Sequence, residues 1–172
     1  AFNGNIGVGI GANTASNNPV RGNLIYSNAN LGIDLGNNGR TGNDAGDGDT
    51  GANGLQNFPV VTNAVLQDFV TRIEGTLNSR PNTTYQLDFY ANQFGDSSGN
   101  GEGQLYLGSD SVTTGADSNA TFSVMIPFPT QARFITAIAT DPFGNTSEFG
   151  PNFRAFSAKT PLTLIVTNTN NS

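Results

Sequence analysis

The residues best suited to chemistry in this sequence form a short loop of aspartates and glycines. Asp44, Asp47 and Asp49 lie within six residues of one another, and the glycines beside them allow the backbone to fold around one point. Hard cations such as Ca²⁺ bind roughly six to eight oxygen atoms from carboxylates, side-chain amides and backbone carbonyls. We therefore predict a Ca²⁺ site at Asp44, Asp47 and Asp49, with Asn43 and Asn53 as further ligands.

This loop can be interpreted either as a cation site or as an acidic turn without a metal. The loop lacks the glutamate that closes an EF-hand, and Asp34 and Asn37 are additional candidate ligands. No lysine or arginine is nearer in sequence than Arg40, so three carboxylates held together would repel one another without a cation. The alternative is an acidic turn that is exposed to solvent.

A second, weaker set of oxygen ligands surrounds a Pro-Phe-Gly turn. Asp141, Asn145 and Glu148 could share a cation there. Aspartate and asparagine also form turns by themselves, which is the alternative interpretation. Glu102 lies in a Gly/Ser-rich loop and is expected to be solvated.

The composition excludes most other chemistry. The chain has no histidine and no cysteine, which excludes a Ser-His-Asp triad, a cysteine nucleophile, zinc, haem and iron–sulfur sites, and disulfides. The formal charge of -6 argues against nucleic acid or an anionic membrane as a partner, because both require clusters of Lys or Arg. No run approaches the roughly eighteen apolar residues that membrane insertion needs. We therefore expect a non-catalytic protein.

The elements that must position these residues begin with a repeat. Residues 1–57 contain 13 of the 22 glycines and 13 of the 24 asparagines. Residues 5–11 (NIGVGIG) return as residues 30–36 (NLGIDLG), and this period of 25 residues is typical of a solenoid. Apolar residues alternate in both copies, which predicts strands with one buried face. The residues predicted to stack between coils are Ile6, Val8, Ile10, Leu31, Ile33 and Leu35.

The same region resembles a known type of coil. Residues 22–28 (GNLIYSN), followed by residues 32–35 (GIDL), are similar to one coil of the right-handed parallel β-helix of bacterial secreted proteins and pectate-lyase-like enzymes. The resemblance implies short β-helix-like coils over residues 1–57. About three coils are normally needed for stability, so we expect either preceding coils or another molecule to complete the stack.

From Phe58 onward the sequence predicts an Ig-like antiparallel β-sandwich over residues 58–151. About seven alternating runs are separated by turn signals, which is typical of such sandwiches. Residues 73–85 and 139–149 also resemble bacterial Ig-like modules, which follow β-helix coils in large secreted or cell-surface proteins. The fold class is thus predicted to be all-β. The predicted strands are Phe58–Leu66, Phe69–Leu77, Thr83–Asn92, Gln104–Thr113, Ala120–Pro127, Ala132–Asp141 and one around Glu148–Phe156.

Residues 152–172 are predicted to be a linker followed by a C-terminal strand. Residues 160–168 (TPLTLIVTN) carry no charge and have strong strand propensity. This strand could be the last one of the sandwich, or it could add to an exposed sheet edge of a neighbouring copy. Its apolar residues are Leu162, Leu164, Ile165 and Val166.

These features predict a bacterial extracellular or cell-surface structural protein. Copies of the chain would join head to tail through β-strand complementation into a fibre or surface layer, stabilised by Ca²⁺. The alternative is an adhesin module that binds carbohydrate or another surface, with glycans held on aromatic side chains. The candidate aromatic residues are Tyr85, Phe89, Tyr90 and Tyr106.

Overall fold

The computed structural model describes residues 3–67, 70–127 and 133–158. Within these ranges the regular elements are strands, apart from one short 3₁₀ helix at Ala52–Leu55. The predicted all-β class is confirmed. The strands are β1 (Val8–Ile10), β2 (Ile33–Leu35), β3 (Val60–Gln67), β4 (Val70–Asn78), β5 (Thr84–Asn92), β6 (Leu105–Thr113), β7 (Asn119–Ile126), β8 (Phe134–Thr140), β9 (Phe153–Arg154) and β10 (Phe156–Ser157).

Strands β3 to β10 form two four-stranded sheets that face each other in a sandwich-like arrangement. The strand order is β10-β3-β4-β7 in the first sheet and β6-β5-β8-β9 in the second. Burial alternates along β4 and β7, because one face of the first sheet meets the core and the other meets solvent. The core contains Val61, Ala64, Ile73, Leu77, Phe122, Val124 and Ile126 from the first sheet, and Tyr85, Leu87, Phe89, Ala91, Leu107, Ile135, Ala137 and Ala139 from the second.

The two central strands of the second sheet are buried on both faces. Every residue is buried over 87–92 of β5 and over 135–140 of β8, so the usual alternation is lost there. The N-terminal region covers the second face and therefore shares a core with the sandwich. That smaller core contains Ile10, Ile33, Leu35, Ala52, Tyr90, Ile138 and Phe149.

The N-terminal repeat forms a parallel pair of strands. β1 and β2 pair in a register of 25 residues, which is the period predicted from the sequence. Of the predicted stacking residues, Ile6 and Val8 are half-buried and the other four are buried. The stacked pairs are Val8 with Ile33, Gly9 with Asp34, Ile10 with Leu35, and, as an isolated bridge, Asn3 with Asn28.

The sandwich extends further along the chain than the sequence predicts. The sequence ends the sandwich domain at residue 151, although it also predicts a strand around Glu148–Phe156. In the structure β9 pairs with β8, and β10 pairs in parallel with β3. Phe153 packs against the sandwich core, which explains why this segment joins the sheets instead of acting as a spacer. The predicted C-terminal strand at 160–168 lies outside the described residues.

Replacing Gly7 by alanine should destabilise the pairing of β1 with β2. A Cβ at Gly7 would lie 2.5 Å from Ile25 Cγ2 and 2.6 Å from the carbonyl oxygen of Gly32, and backbone in the ladder cannot move away cheaply. We expect the free energy of unfolding, measured by urea denaturation, to fall by about 1–3 kcal/mol. Gly4→Ala is the matched control, because nothing lies within 4 Å of a Cβ there. Equal effects of the two substitutions would contradict the described packing.

Candidate metal centre

Three aspartates meet in the loop between the β1–β2 pair and the sandwich. One carboxylate oxygen from each of Asp44, Asp47 and Asp49 lies within 4.8 Å of the other two. Asp47 is buried and the other two are half-buried. Because like charges at this separation repel, the cluster could bind a metal ion.

Two carboxylate oxygens in this cluster accept no hydrogen bond. Asp44 Oδ1 and Asp49 Oδ1 are both buried and lack a hydrogen-bond partner. A buried carboxylate oxygen without a partner is costly, and a cation placed between these oxygens would remove that cost. The donor set consists of hard oxygen ligands, which suit cations such as Ca²⁺ and Mg²⁺ rather than softer metals.

The loop is held in place by hydrogen bonds that leave those two oxygens unused. Asp47 Oδ1 accepts a hydrogen bond from the backbone N–H of Asn57 at 2.9 Å, and Asp47 Oδ2 accepts one from the Ser79 hydroxyl at 2.7 Å. Asp44 Oδ2 accepts one from the N–H of Gly48 at 3.0 Å. Asp47 itself has a φ of 56°, a left-handed conformation that aspartate tolerates better than most residues. The loop is thereby fixed to the end of β4.

Electrostatics in the loop also favour a cation. Burial raises the pKa of Asp47, although the hydrogen bonds from Ser79 and Asn57 act in the opposite direction. Burial raises the pKa of Asp49 as well, and the negative charge of Asp44 adds to that effect. Both shifts mean that the folded chain holds these carboxylates in their charged form at a free-energy cost.

Asn43 and Asn53, also predicted as ligands, have their amides engaged elsewhere. The Asn43 side chain pairs with the backbone of Phe58, donating to its carbonyl at 2.8 Å and accepting from its N–H at 2.9 Å. Asn53 is 1% exposed and donates to the carbonyls of Asn18 and Thr146. Both amides replace peptide groups, so the candidate metal centre consists of the three aspartates.

The additional candidate Asp34 is also engaged with backbone. Its two carboxylate oxygens accept hydrogen bonds from the N–H groups of Asn38 and Gly39, both at 3.1 Å. The other additional candidate, Asn37, has a φ of 54° and lies over Gly9, close to where a Cβ of that residue would be. Both residues shape the turn after β2.

In the second predicted set, the oxygens of Asp141 and Glu148 accept hydrogen bonds from the chain itself. Asp141 accepts two backbone N–H groups at 2.8 Å, from Phe143 and Asn145, and so closes its own turn. The two oxygens of Glu148 accept hydrogen bonds from the N–H groups of Leu35 and Thr41, both at 3.0 Å. The turn interpretation fits Asp141, whereas Glu148 attaches the N-terminal region to the sandwich.

Two further buried carboxylates fix the N-terminal region to the sandwich, and sequence reasoning missed both. Asp88 is 1% exposed and binds the Arg21 guanidinium through contacts of 2.7 and 2.9 Å. Glu102, expected to be solvated, is 8% exposed and accepts hydrogen bonds from the N–H groups of Ser27 and Asn28. Alternation along β5 places Asp88 on the face opposite Leu87 and Phe89, which is the usual position of an exposed acid, so the sequence contains no sign of its burial.

The aromatic residues proposed for glycan binding are mostly core. Tyr85, Phe89 and Tyr90 are at most 1% exposed. Tyr106 is half-buried and donates its hydroxyl to Asp88 at 3.2 Å. These side chains therefore do not form an open platform for a sugar ring.

Comparisons with known proteins leave the function to be inferred from geometry. Neither a scan against protein-family models nor a search of curated proteins finds a match for this chain. Among the described residues, no helix has the length and apolar character needed to cross a membrane.

Mild acidification should stabilise the metal-free protein. Burial raises the pKa of Glu148 from an ordinary value of 4.5 to about 7. The folded state therefore bears the cost of a desolvated carboxylate above about pH 7, and this cost disappears as the pH falls through the folded pKa towards the unfolded one. We expect this group to add up to about 3 kcal/mol to the free energy of unfolding between roughly pH 7.5 and 4.5, measured by urea denaturation in chelator.

The variant Glu148→Gln isolates this contribution, because glutamine keeps the size of the side chain but does not titrate. Its stability should rise less on acidification than that of the parent chain. Parallel pH profiles for the two proteins would show that Glu148 does not cause the dependence.

Proposed function

We propose that this chain is a non-catalytic extracellular structural protein in which a bound Ca²⁺ ion stiffens the joint between the coil pair and the sandwich. The observation that carries the proposal is the pair of buried, unpartnered oxygens, Asp44 Oδ1 and Asp49 Oδ1, in the loop that connects the two parts. Asp47, whose oxygens already accept hydrogen bonds from Asn57 and Ser79, would add the third negative charge.

Calcium fits the loop better than magnesium. Ca²⁺ accepts irregular coordination by carboxylates and backbone carbonyls, whereas Mg²⁺ requires near-octahedral geometry and keeps several waters. The loop offers carboxylates on a glycine-rich backbone with left-handed turns at Gly46 and Asp47. Extracellular calcium modules bind with dissociation constants of about 10⁻⁴–10⁻³ M, which matches a site with a structural role outside the cell.

The strand order supports an Ig-like sandwich for this module. In chain order, β3, β4 and β7 occupy one sheet, as strands A, B and E do in immunoglobulin domains. β5, β8 and β9 occupy the other sheet in the positions of strands C, F and G. β6 pairs with β5, as strand C′ does in variable-type domains. Together with the β-helix-like coils, this order supports the resemblance to bacterial secreted or surface proteins.

The engagement of the buried carboxylates supports a structural role rather than catalysis. Asp88, Glu102 and Glu148 each direct their oxygens to an arginine or to backbone N–H groups. A catalytic carboxylate must instead reach a substrate. In the proposed role these acids hold the coil region on the sandwich.

Copies of the chain would join by strand complementation through the uncharged segment 160–168. Unpaired strand edges bind additional strands through main-chain hydrogen bonds. Leu162, Leu164 and Val166 would supply the apolar side chains of the added strand, and the absence of charge in the segment removes the usual obstacle to such pairing.

Calcium should raise the melting temperature of this protein, and Asp49→Asn should abolish most of the increase. At 10 mM Ca²⁺ and the dissociation constants above, the stabilisation would be roughly 1–3 kcal/mol, measured by thermal denaturation with and without chelator. Asp110→Asn is the matched control, since Asp110 is exposed on β6. An unchanged melting temperature in Ca²⁺ would overturn the calcium proposal.

Assembly should depend on the uncharged C-terminal segment. We expect the full chain to sediment as high-mass species in Ca²⁺, whereas Leu164→Lys should sediment as a monomer because a charge would enter the paired strand. Asn170→Lys adds the same charge beyond the segment and should leave assembly intact. A full chain that stays monomeric at high concentration in Ca²⁺ would contradict the assembly proposal.

A further inference from the structure

The two edges of the β1–β2 ladder differ in what they present. In a parallel ladder, alternate residues of a strand direct both backbone groups to the same neighbour. Val8 donates to the carbonyl of Gly32, and the carbonyl of Ile10 accepts from the N–H of Gly36, both at 2.8 Å. The backbone groups of Gly9 between them therefore point away from β2. Within the described part of the chain, no strand pairs with β1 on that side.

The opposite edge, on β2, is closed by side chains of the same chain. The N–H of Leu35 donates to Glu148 Oε1 at 3.0 Å, and the carbonyl of Leu35 accepts from the Thr41 hydroxyl at 3.4 Å. Leu35 is fully buried and Glu148 is 1% exposed. A carboxylate and a hydroxyl thus occupy the positions that the backbone of a further strand would take.

This asymmetry limits how coils can be added. A second copy cannot place the outer edge of its β2 on β1 of the first, because Glu148 and Thr41 already cover that edge. Coils could therefore be added only at β1, and the sandwich terminates the stack at β2. Head-to-tail association of identical copies through their coils alone is excluded by the same contacts.

The chemistry of the β1 edge indicates which kind of strand it would accept. Paired residues of β1 and β2 are 25 positions apart in the sequence. Beside these strands two asparagines stack in the same register, and Asn30 Nδ2 donates to Asn5 Oδ1 at 2.9 Å. We call this stacked pair the asparagine rung. Asn5 is exposed, so its amide can form the next rung. Residues 3–11 carry no charge that would oppose pairing.

We propose that the outer edge of β1 is the docking edge for another coil of the same 25-residue repeat, added in parallel and in register, with Glu148 as the terminal cap of the stack. This inference rests on the proposed structural role and specifies the acceptor edge and its partner. The partner is a coil with asparagine at the rung position and alternating apolar residues, which continues the interface already present between β1 and β2.

A lengthened chain tests this proposal directly. Residues 3–27 are duplicated ahead of residue 3, so that the added coil lies 25 residues before the existing one. Gly9 is an exposed residue in the parent chain. Its N–H should exchange with solvent more slowly in the lengthened chain, by about tenfold or more, measured by residue-resolved hydrogen exchange. In the control, the added copy alone carries Val8→Asp and Ile10→Asp, and Gly9 should exchange as in the parent.

Equal exchange at Gly9 in the lengthened chain and its control would overturn the proposal. If the lengthened chain fails to fold, the unmodified full chain is mixed with a synthetic peptide of residues 3–27. Slower exchange at Gly9 in this mixture supports the proposal, and unchanged exchange overturns it.

The C-terminal segment is the competing occupant of this edge. If Gly9 is protected in the unmodified full chain and Leu164→Lys removes that protection, the edge belongs to the C-terminal segment and the proposal is overturned. Calcium stabilisation and sedimentation, measured on the same samples, report separately on the proposed function.

Discussion

The fold depends on buried side-chain acceptors that replace missing strand partners. The N-terminal region has two strands of three residues each, so most of its backbone N–H groups have no ladder to join. Glu148, Glu102 and Asn145 accept hydrogen bonds from these groups across the interface with the sandwich. A buried N–H without a partner costs about 1–3 kcal/mol, so these contacts with the sandwich stabilise the folded N-terminal region.

The same constraint explains the high asparagine content of the first region. Asn43, Asn53 and Asn57 use their side-chain amides as substitutes for peptide groups, each donating to and accepting from nearby backbone. An amide can do this without the desolvation cost of a charge. The chain between β2 and the sandwich can therefore be irregular and still buried, and two oxygens of its aspartates, Asp44 Oδ1 and Asp49 Oδ1, remain without a donor.

Much of the fold could be predicted from the sequence, because it is encoded in local patterns. The 25-residue spacing between residues 5–11 and 30–36 gives the register of β1 and β2 directly, and alternation identifies most sandwich strands. The role of Glu148 could not be predicted, since its partner Leu35 is 113 residues away and a backbone N–H leaves no trace in the sequence. The sequence assigns Asn43 and Asn53 to the cation for the same reason: their proximity to the aspartates is visible in it and their backbone partners are not.

The type of partner that each buried acid has at the interface between the N-terminal region and the sandwich determines how strongly dissolved salt affects that interface. Among the described residues, Asp88 is the one fully buried acid paired with a cationic side chain, that of Arg21. The other anchoring carboxylates, such as Glu102 and Glu148, bind uncharged amides, and dissolved ions screen such buried contacts far less than they screen exposed ion pairs. The attachment of the N-terminal region to the sandwich should therefore depend only weakly on ionic strength.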